Sequence, residues 1–241
     1  FLMTARKMSG AQVRCLADVE PEDVLWYWTG RIPRGKLVEM FGLPGVGKST
    51  LITGIVAHLT TGNALPGDES GADPINVLLL NAEDGVADTI RPRLDKAGAD
   101  VDCVFHFDGI GKNKDELQHV NLRDEKHLAR LTEEIKNLDV GLVVIDPIDA
   151  YLGDIDSYKN SQVRGLLSPL AKIAEEQRCT ILNIPHPTKA IAERVVNQAG
   201  GSVGFTAAAR CSMLVGELDE DSDERAIVVI KSNLAVFPPS V

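Results

Sequence analysis

The sequence has 241 residues and a mass of 26.0 kDa, enough for one α/β domain with a large core or for two small domains. It is 44% hydrophobic and 25% charged, ordinary for a globular chain, and no apolar stretch approaches the roughly 18 residues needed to cross a bilayer. A net charge of −10 argues against a uniformly basic surface that grips nucleic acid, though it leaves room for a local basic channel.

The segment from Phe1 to Gly10 carries two basic residues with no apolar run behind them, which argues against a secretory signal. The chain does not begin with Met and stops just after Pro238-Pro239. A fragment of a longer protein, or a chain with a leftover tag, is the expectation. Cys15, Cys103, Cys179 and Cys211 are far apart and form no metal-ligand pattern, so free buried thiols in a reducing cytoplasm are expected.

Short apolar runs alternate with longer helix-period segments, the pattern of a parallel sheet covered by helices. The runs are Leu37–Phe41, Val77–Asn81, Cys103–Phe107, Leu142–Asp146, Thr180–Ile184, Cys211–Val215 and Ala226–Lys231. Their near-continuous apolar interiors predict strands buried on both faces. Helices are predicted from Gly47 to about Thr61, over Val86–Ala97, over Asp124–Leu138 and over Gln162–Arg178. Pro169 should kink or break the last of these. Gly62–Pro74, Gly109–Asp115 and Pro185–Val203 read as loops. The organisation predicted is an N-terminal extension over residues 1–30 and one α/β domain over residues 31–241, with no internal repeat.

Gly42-Leu43-Pro44-Gly45-Val46-Gly47-Lys48-Ser49 fits the P-loop pattern G-x-x-x-x-G-K-[ST] in full. The glycines permit a turn tight enough for backbone N–H groups to surround phosphate oxygens, and the helix that follows offers its positive end to the same anion. Lys48 brings a mobile cation to the β- and γ-phosphates, Ser49 a hydroxyl to Mg²⁺, and Thr50 continues the site into the helix. ATP and Mg²⁺ are therefore the expected ligands. An apolar strand before the loop and the stripe Leu51, Ile55, Val56, Leu59 after it give the required context.

Leu142-Val143-Val144-Ile145-Asp146 has the form of a Walker B strand, with Asp146 at the carboxyl edge where ligands gather in an α/β sheet. Asp146 is the second metal candidate; a strand-capping aspartate is the plainer alternative. Leu78-Leu79-Leu80-Asn81 ends in Ala82-Glu83-Asp84, placing two carboxylates where one would activate the attacking water. Glu83 is the base candidate and Asp84 the alternate, against the reading that both cap the next helix. Asn113-Lys114-Asp115-Glu116 misses the guanine motif N-K-x-D by one position, which disfavours GTP.

With these residues in view, the chain resembles the RecA/DnaB-like ATPases, most closely the RepA-like hexameric helicase group within the AAA_25 family. The resemblance spans about Ile32 to Leu234. It rests on Arg31-Ile32-Pro33-Arg34-Gly35-Lys36-Leu37, Asn81-Ala82-Glu83-Asp84, Asp146-Pro147 with Ala150-Tyr151-Leu152-Gly153, Gly200-Gly201-Ser202-Val203-Gly204-Phe205 with Ala208-Ala209-Arg210, and Lys231-Ser232-Asn233-Leu234. The family implies a RecA-like core, a mostly parallel central sheet flanked by helices on both faces. It implies that His186 is the γ-phosphate sensor, here flanked by Pro185 and Pro187 in place of the commoner Arg-His-Leu form. It implies that Arg210 is an arginine finger reaching the ATP of the next subunit, with Lys231 assisting from the same face. Without the family, His186 reads as a structural strand-end residue and Arg210 as a surface residue. Arg91 and Arg93 remain alternatives for a phosphate or subunit contact.

A finger acting in trans implies a homo-oligomer, in this family a ring of six, and the want of a long apolar stretch sets the expectation of no membrane partner. The family's DNA-facing loops correspond to Gly153–Gln162 and Pro187–Ala199, where Lys159, Lys189 and Arg194 are interspersed with Asp154, Asp156 and Glu193, and Arg164 follows. That mixture is thin for a groove that tracks a backbone. Tyr151 and Tyr158 are candidates for stacking on bases, Tyr151 equally for the core. Two functions are expected: a cytoplasmic ATP-hydrolysing helicase or replication motor on single-stranded DNA, or a regulatory ATP switch that moves no strand.

Overall fold

The computed structural model describes residues 13–111, 116–153, 160–186, 203–218 and 224–241. The DNA-loop candidates Asp154, Asp156, Tyr158, Lys159, Lys189, Glu193 and Arg194, the Gly200-Gly201-Ser202 run and the loop residue Pro187 lie outside the described residues.

Nine strands are described, two of them in a small hairpin. In the hairpin β1 (Trp26–Trp28) pairs antiparallel with β2 (Ile32–Pro33). The main sheet contains β3 (Leu37–Gly42), β4 (Asn76–Asn81), β5 (Val104–His106), β6 (Val140–Asp146), β7 (Thr180–Asn183), β8 (Cys211–Glu217) and β9 (Arg225–Ser232). Its order is β5-β4-β6-β7-β3-β8-β9, parallel throughout except that β9 runs antiparallel to β8. The seven apolar runs of the sequence each correspond to one strand of this sheet. It is the expected RecA-like α/β core.

The helices are α1 (Lys48–Thr61), α2 (Arg91–Ala97), α3 (Glu125–Asn137), α4 (Asn160–Glu176) and α5 (Val203–Ala208). They pack the two faces into two apolar layers. One holds Met40, Val56, Val77, Val144 and Leu182 beneath α1 and α2; the other holds Leu37, Leu80, Ile145, Leu167 and Ile181 beneath α3, α4 and α5. Alternation along β3 explains the division, because successive side chains leave opposite faces of the sheet.

Three local features differ from the sequence reading. The helix expected over Val86–Ala97 opens with a π turn over Val86–Ile90, in which the Ile90 amide bonds to the Gly85 carbonyl at 3.0 Å. Pro92 then sits in the first turn of α2, where its missing N–H costs no bond. Helix α4 continues through Pro169, so of the expected kink or break the break does not occur. Of the four free thiols, Cys179 and Cys211 are buried as expected, but Cys15 is exposed and Cys103 half-buried, because both precede or edge the core.

Tyr27 and Trp28 of the hairpin join the first apolar layer, and Trp28 is 1% exposed with its Nε1–H donating to the Pro66 carbonyl at 2.9 Å. Arg31 lies over Trp28 and Arg34 over Tyr27, at 4.9 and 4.6 Å from the ring centroids. The Arg31 guanidinium also donates to the Pro239 carbonyl. Residues 234–241 run back along the sheet, and Ile227 and Val241 exchange both backbone hydrogen bonds, at 2.7 and 3.3 Å. Among the described residues, no helix is long and apolar enough to cross a membrane.

Candidate active site

The carboxyl ends of β3, β4, β6 and β7 converge on one edge of the sheet. From β3 the chain turns through Gly45 and Gly47, whose φ angles are +81° and +92°. Nothing lies within 4 Å of a Cβ built at either position, so these glycines answer to the backbone turn and not to a shortage of room. Gly47 is the N-cap of α1, and the helix's free amides face the loop.

Lys48 is buried and its ammonium donates to the Gly42 and Leu43 carbonyls at 3.0 and 3.1 Å. Burial lowers its pKa, and the charges of Asp146 and Glu83 oppose that shift. Val46 turns its side chain into the core, while its carbonyl accepts from Arg225 Nε at 3.1 Å, tying β9 to the loop.

Ser49 Oγ donates to Asp146 Oδ2 at 3.1 Å, although β6 lies two strands away from β3. The intervening strand β7 delivers His186 between them. His186 Nε2 is 3.2 Å from Asp146 Oδ1, and Nδ1 is 3.3 Å from Glu83 Oε1. The His186 amide donates to Asp149 Oδ2 at 2.8 Å, fixing the turn after β7. Donation to the Asp146 carboxylate raises the His186 pKa; burial lowers it, the charges of Asp146 and Glu83 raise it further, and that of Lys48 opposes them.

Glu83 and Asp84 are held by Asn81, whose Oδ1 accepts from both of their amides at 3.1 and 2.8 Å, an Asx turn. Register explains its position, since Asn81 lies opposite Asp146 in the β4–β6 ladder. Asp84 pairs with Arg93 at 2.6 Å, whereas Arg91 pairs with Asp95 one turn along its own helix. Of the two arginines, Arg93 therefore faces the site.

A cleft of about 410 Å³ runs between the P-loop, from Gly42 and Pro44 to Thr50, and an opposite wall of Glu83, Asp84, Arg93 and His186. That volume suits a small organic ligand. The donor set also fits Mg²⁺: a hydroxyl and a carboxylate lie 3.1 Å apart, and Asp146 Oδ1 is buried without a well-aligned hydrogen bond. Among the described residues no three His, Cys, Asp or Glu side chains form a protein-only metal cage. Magnesium, which usually keeps waters and phosphate oxygens, requires none.

Arg210 is elsewhere. Its amide donates to the Leu37 carbonyl at 2.8 Å, at the start of β3, five residues before Gly42. At about 3.3 Å per residue this is roughly 16 Å along the strand from the phosphate loop. The structure thus brings together Lys48, Ser49, Glu83, Asp146 and His186, and leaves Arg210 exposed at the opposite edge. Sequence reasoning missed Asn81 and Asp149 as site residues. An Asn two residues before paired acids was the available signal for Asn81; nothing local marked Asp149. Tyr151 is a core residue, 4% exposed, and not a surface for stacking.

Comparison with known proteins agrees with this geometry. The model of the AAA domain family AAA_25 matches residues 7–192. The chain is 29% identical over 163 residues to the DNA repair protein RadA of Bacillus subtilis, covering 66% of this chain and 30% of that protein. It is 28% identical over 195 residues to the DNA repair protein RadA of Campylobacter jejuni, covering 76% and 37% respectively. The chain spans about a third of the length of the curated relatives it matches. With a full phosphate loop at the carboxyl edge of a parallel sheet and a family match over most of its length, the chain belongs to the AAA_25 family of AAA domains and is a RecA-like P-loop ATPase.

Proposed function

We propose that this ATPase is the motor subunit of a ring-forming homo-oligomer that hydrolyses ATP while acting on single-stranded DNA. The observation that carries the hydrolytic part is the joined group Ser49–Asp146–His186–Glu83, which surrounds a cleft walled by the P-loop. The DNA part is supported by relatives described as DNA repair proteins and by the likeness to hexameric helicases.

In this reading the backbone amides from Gly45 to Thr50 bind the phosphates, and Lys48 exchanges its two carbonyl partners for phosphate oxygens. Ser49 and Asp146 would hold Mg²⁺, which when bound neutralises charge on the β- and γ-phosphates. Glu83 takes the proton of the attacking water. His186 touches both Asp146 and Glu83, so a change at the γ-phosphate that moves either carboxylate is felt at the turn after β7. Arg93 holds Asp84 beside the base. Arg210, remote from its own P-loop, completes the site of a neighbouring copy.

The test is steady-state ATP hydrolysis over a range of protein concentrations, with and without single-stranded DNA, using Lys48→Ala as the blank. Turnover per subunit should rise steeply with concentration and again with DNA. Lys48-dependent turnover that is flat in both would contradict the motor and favour a regulatory switch.

A further inference from the structure

One polar cluster, with three buried side chains and one half-buried, plays no part in the chemistry at the P-loop. Glu39 is 1% exposed on β3, three residues before the P-loop glycine Gly42. Its register partner on β7 is Asn183, and its partner on β8 is Ser212. Ser212 in turn stands opposite Lys231 on β9. Asn183, Glu39, Ser212 and Lys231 therefore form one polar row across four adjacent strands, otherwise surrounded by the apolar layer beneath α4 and α5.

The row requires a local irregularity. Between Met213 and Ser212 the β8–β9 register slips, so that Met213 faces Val229 but Ser212 faces Lys231. Such a bulge re-aims a side chain, and here it sets Lys231 on the Glu39 side of the sheet. The Lys231 ammonium donates to the carbonyls of Thr206, Ala207 and Ala209, at 2.6, 3.1 and 2.7 Å. It thereby closes the carboxyl end of α5, where a cation also complements the helix dipole.

The next residue is Arg210. Its backbone is clamped on both sides, the amide by the Leu37 carbonyl and the carbonyl by the Asn233 amide at 3.1 Å. An ammonium with three carbonyl partners in its own subunit is committed to holding that turn. Resting on the proposed finger role of Arg210, we infer that Lys231, seated over Glu39 in this row, is a positioning residue that fixes the backbone from which Arg210 reaches the neighbouring ATP. Burial pushes the Glu39 carboxyl to about 7, while the Ser212 and Thr206 hydroxyls and the Lys231 cation pull it back. The row is thus electrostatically coupled to Lys231 as well as adjacent to it.

The experiment is a double-mutant cycle on kcat for ATP hydrolysis at ring-forming concentration, with ATP affinity of each variant measured separately. Arg210→Ala should lower kcat at least about 10³-fold. Lys231→Met should lower it about 10- to 100-fold, the scale of a small displacement of a reacting group. Both should leave ATP affinity unchanged, which a merely misfolded variant would not. In the Arg210→Ala background, Lys231→Met should cost nothing further, because its whole effect passes through Arg210. Lys231→Gln, which can donate to no more than two of the three carbonyls, should fall between wild type and Lys231→Met, and it carries the same cycle if Lys231→Met does not fold. Independent, multiplying losses would overturn the proposal in favour of direct phosphate contact by Lys231. Wild-type turnover in Lys231→Met, beside a crippled Arg210→Ala, would overturn it alone. Wild-type turnover in Arg210→Ala would remove the finger reading, and the positioning role with it.

Discussion

Asn81 shows how much of this site depends on a residue that does no chemistry. Its side-chain oxygen holds the amides of Glu83 and Asp84, and so sets where the carboxylate of Glu83 meets His186. Replacing Glu83 by Gln removes the proposed proton acceptor but keeps the shape, and should lower kcat about 10²- to 10⁴-fold with ATP affinity retained. Asn81→Ala keeps the acceptor but frees its backbone, and should lower kcat by a smaller factor, about tenfold, again without loss of affinity. Equal kcat in Glu83→Gln and wild type, measured in single turnover, would exclude Glu83 as the base. The residues from Gly42 to Ser49 were legible in the sequence because phosphate binding by a loop is local. Asp149 was not, and Asn81 only by its place two residues before the paired acids, since their tasks depend on where another strand ends. Nor was the choice between Arg91 and Arg93, because the π turn over Val86–Ile90 shifts the helical phase that a regular helix would predict.

Among the elements, β3 is the one from which most of the function radiates. It carries the P-loop at one end, receives the Arg210 amide at the other, and buries Glu39 between them. The apolar runs identified all seven strands of the main sheet because parallel strands covered on both faces need continuous hydrophobicity. The bulge in β9 and the short Trp26–Trp28 hairpin went unread, since each is fixed by pairing with a distant partner and not by its own pattern. Glu39 gives β3 a measurable signature. Its carboxyl is raised by burial from 4.5 to about 7, so the folded state keeps its proton over a range in which the unfolded chain has lost it. The unfolded chain then binds fewer protons, and stability falls as pH rises from about 4.5 through about 7. Glu39→Gln removes that slope. Relative to wild type, the variant should gain stability between pH 5 and pH 8, by at most about 3 kcal/mol. Denaturant unfolding at several pH values measures this; parallel curves would show that Glu39 is ionised throughout.

For the whole molecule, the decisive relation is between two edges of one sheet. The P-loop, Asp146, Glu83 and His186 gather at the carboxyl edge, and Arg210 stands at the other, beside the start of β3. A single copy cannot bring them together without dismantling the sheet; a head-to-tail neighbour can, and repeated head-to-tail contacts give a ring where the rotation closes and a filament where it does not. The overall charge of −10 is compatible with such an assembly and says nothing for or against a basic channel through it. The measurement that bears most directly on this account mixes two inactive proteins. Lys48→Ala keeps its Arg210 but cannot use ATP, and Arg210→Ala keeps its P-loop but offers no finger. Each alone should hydrolyse ATP at a small fraction of the wild-type rate. Mixed in equal amounts, they should recover turnover well above either, because some interfaces pair an intact P-loop with an intact Arg210. A mixture no more active than the mean of its two components would contradict a site shared between subunits.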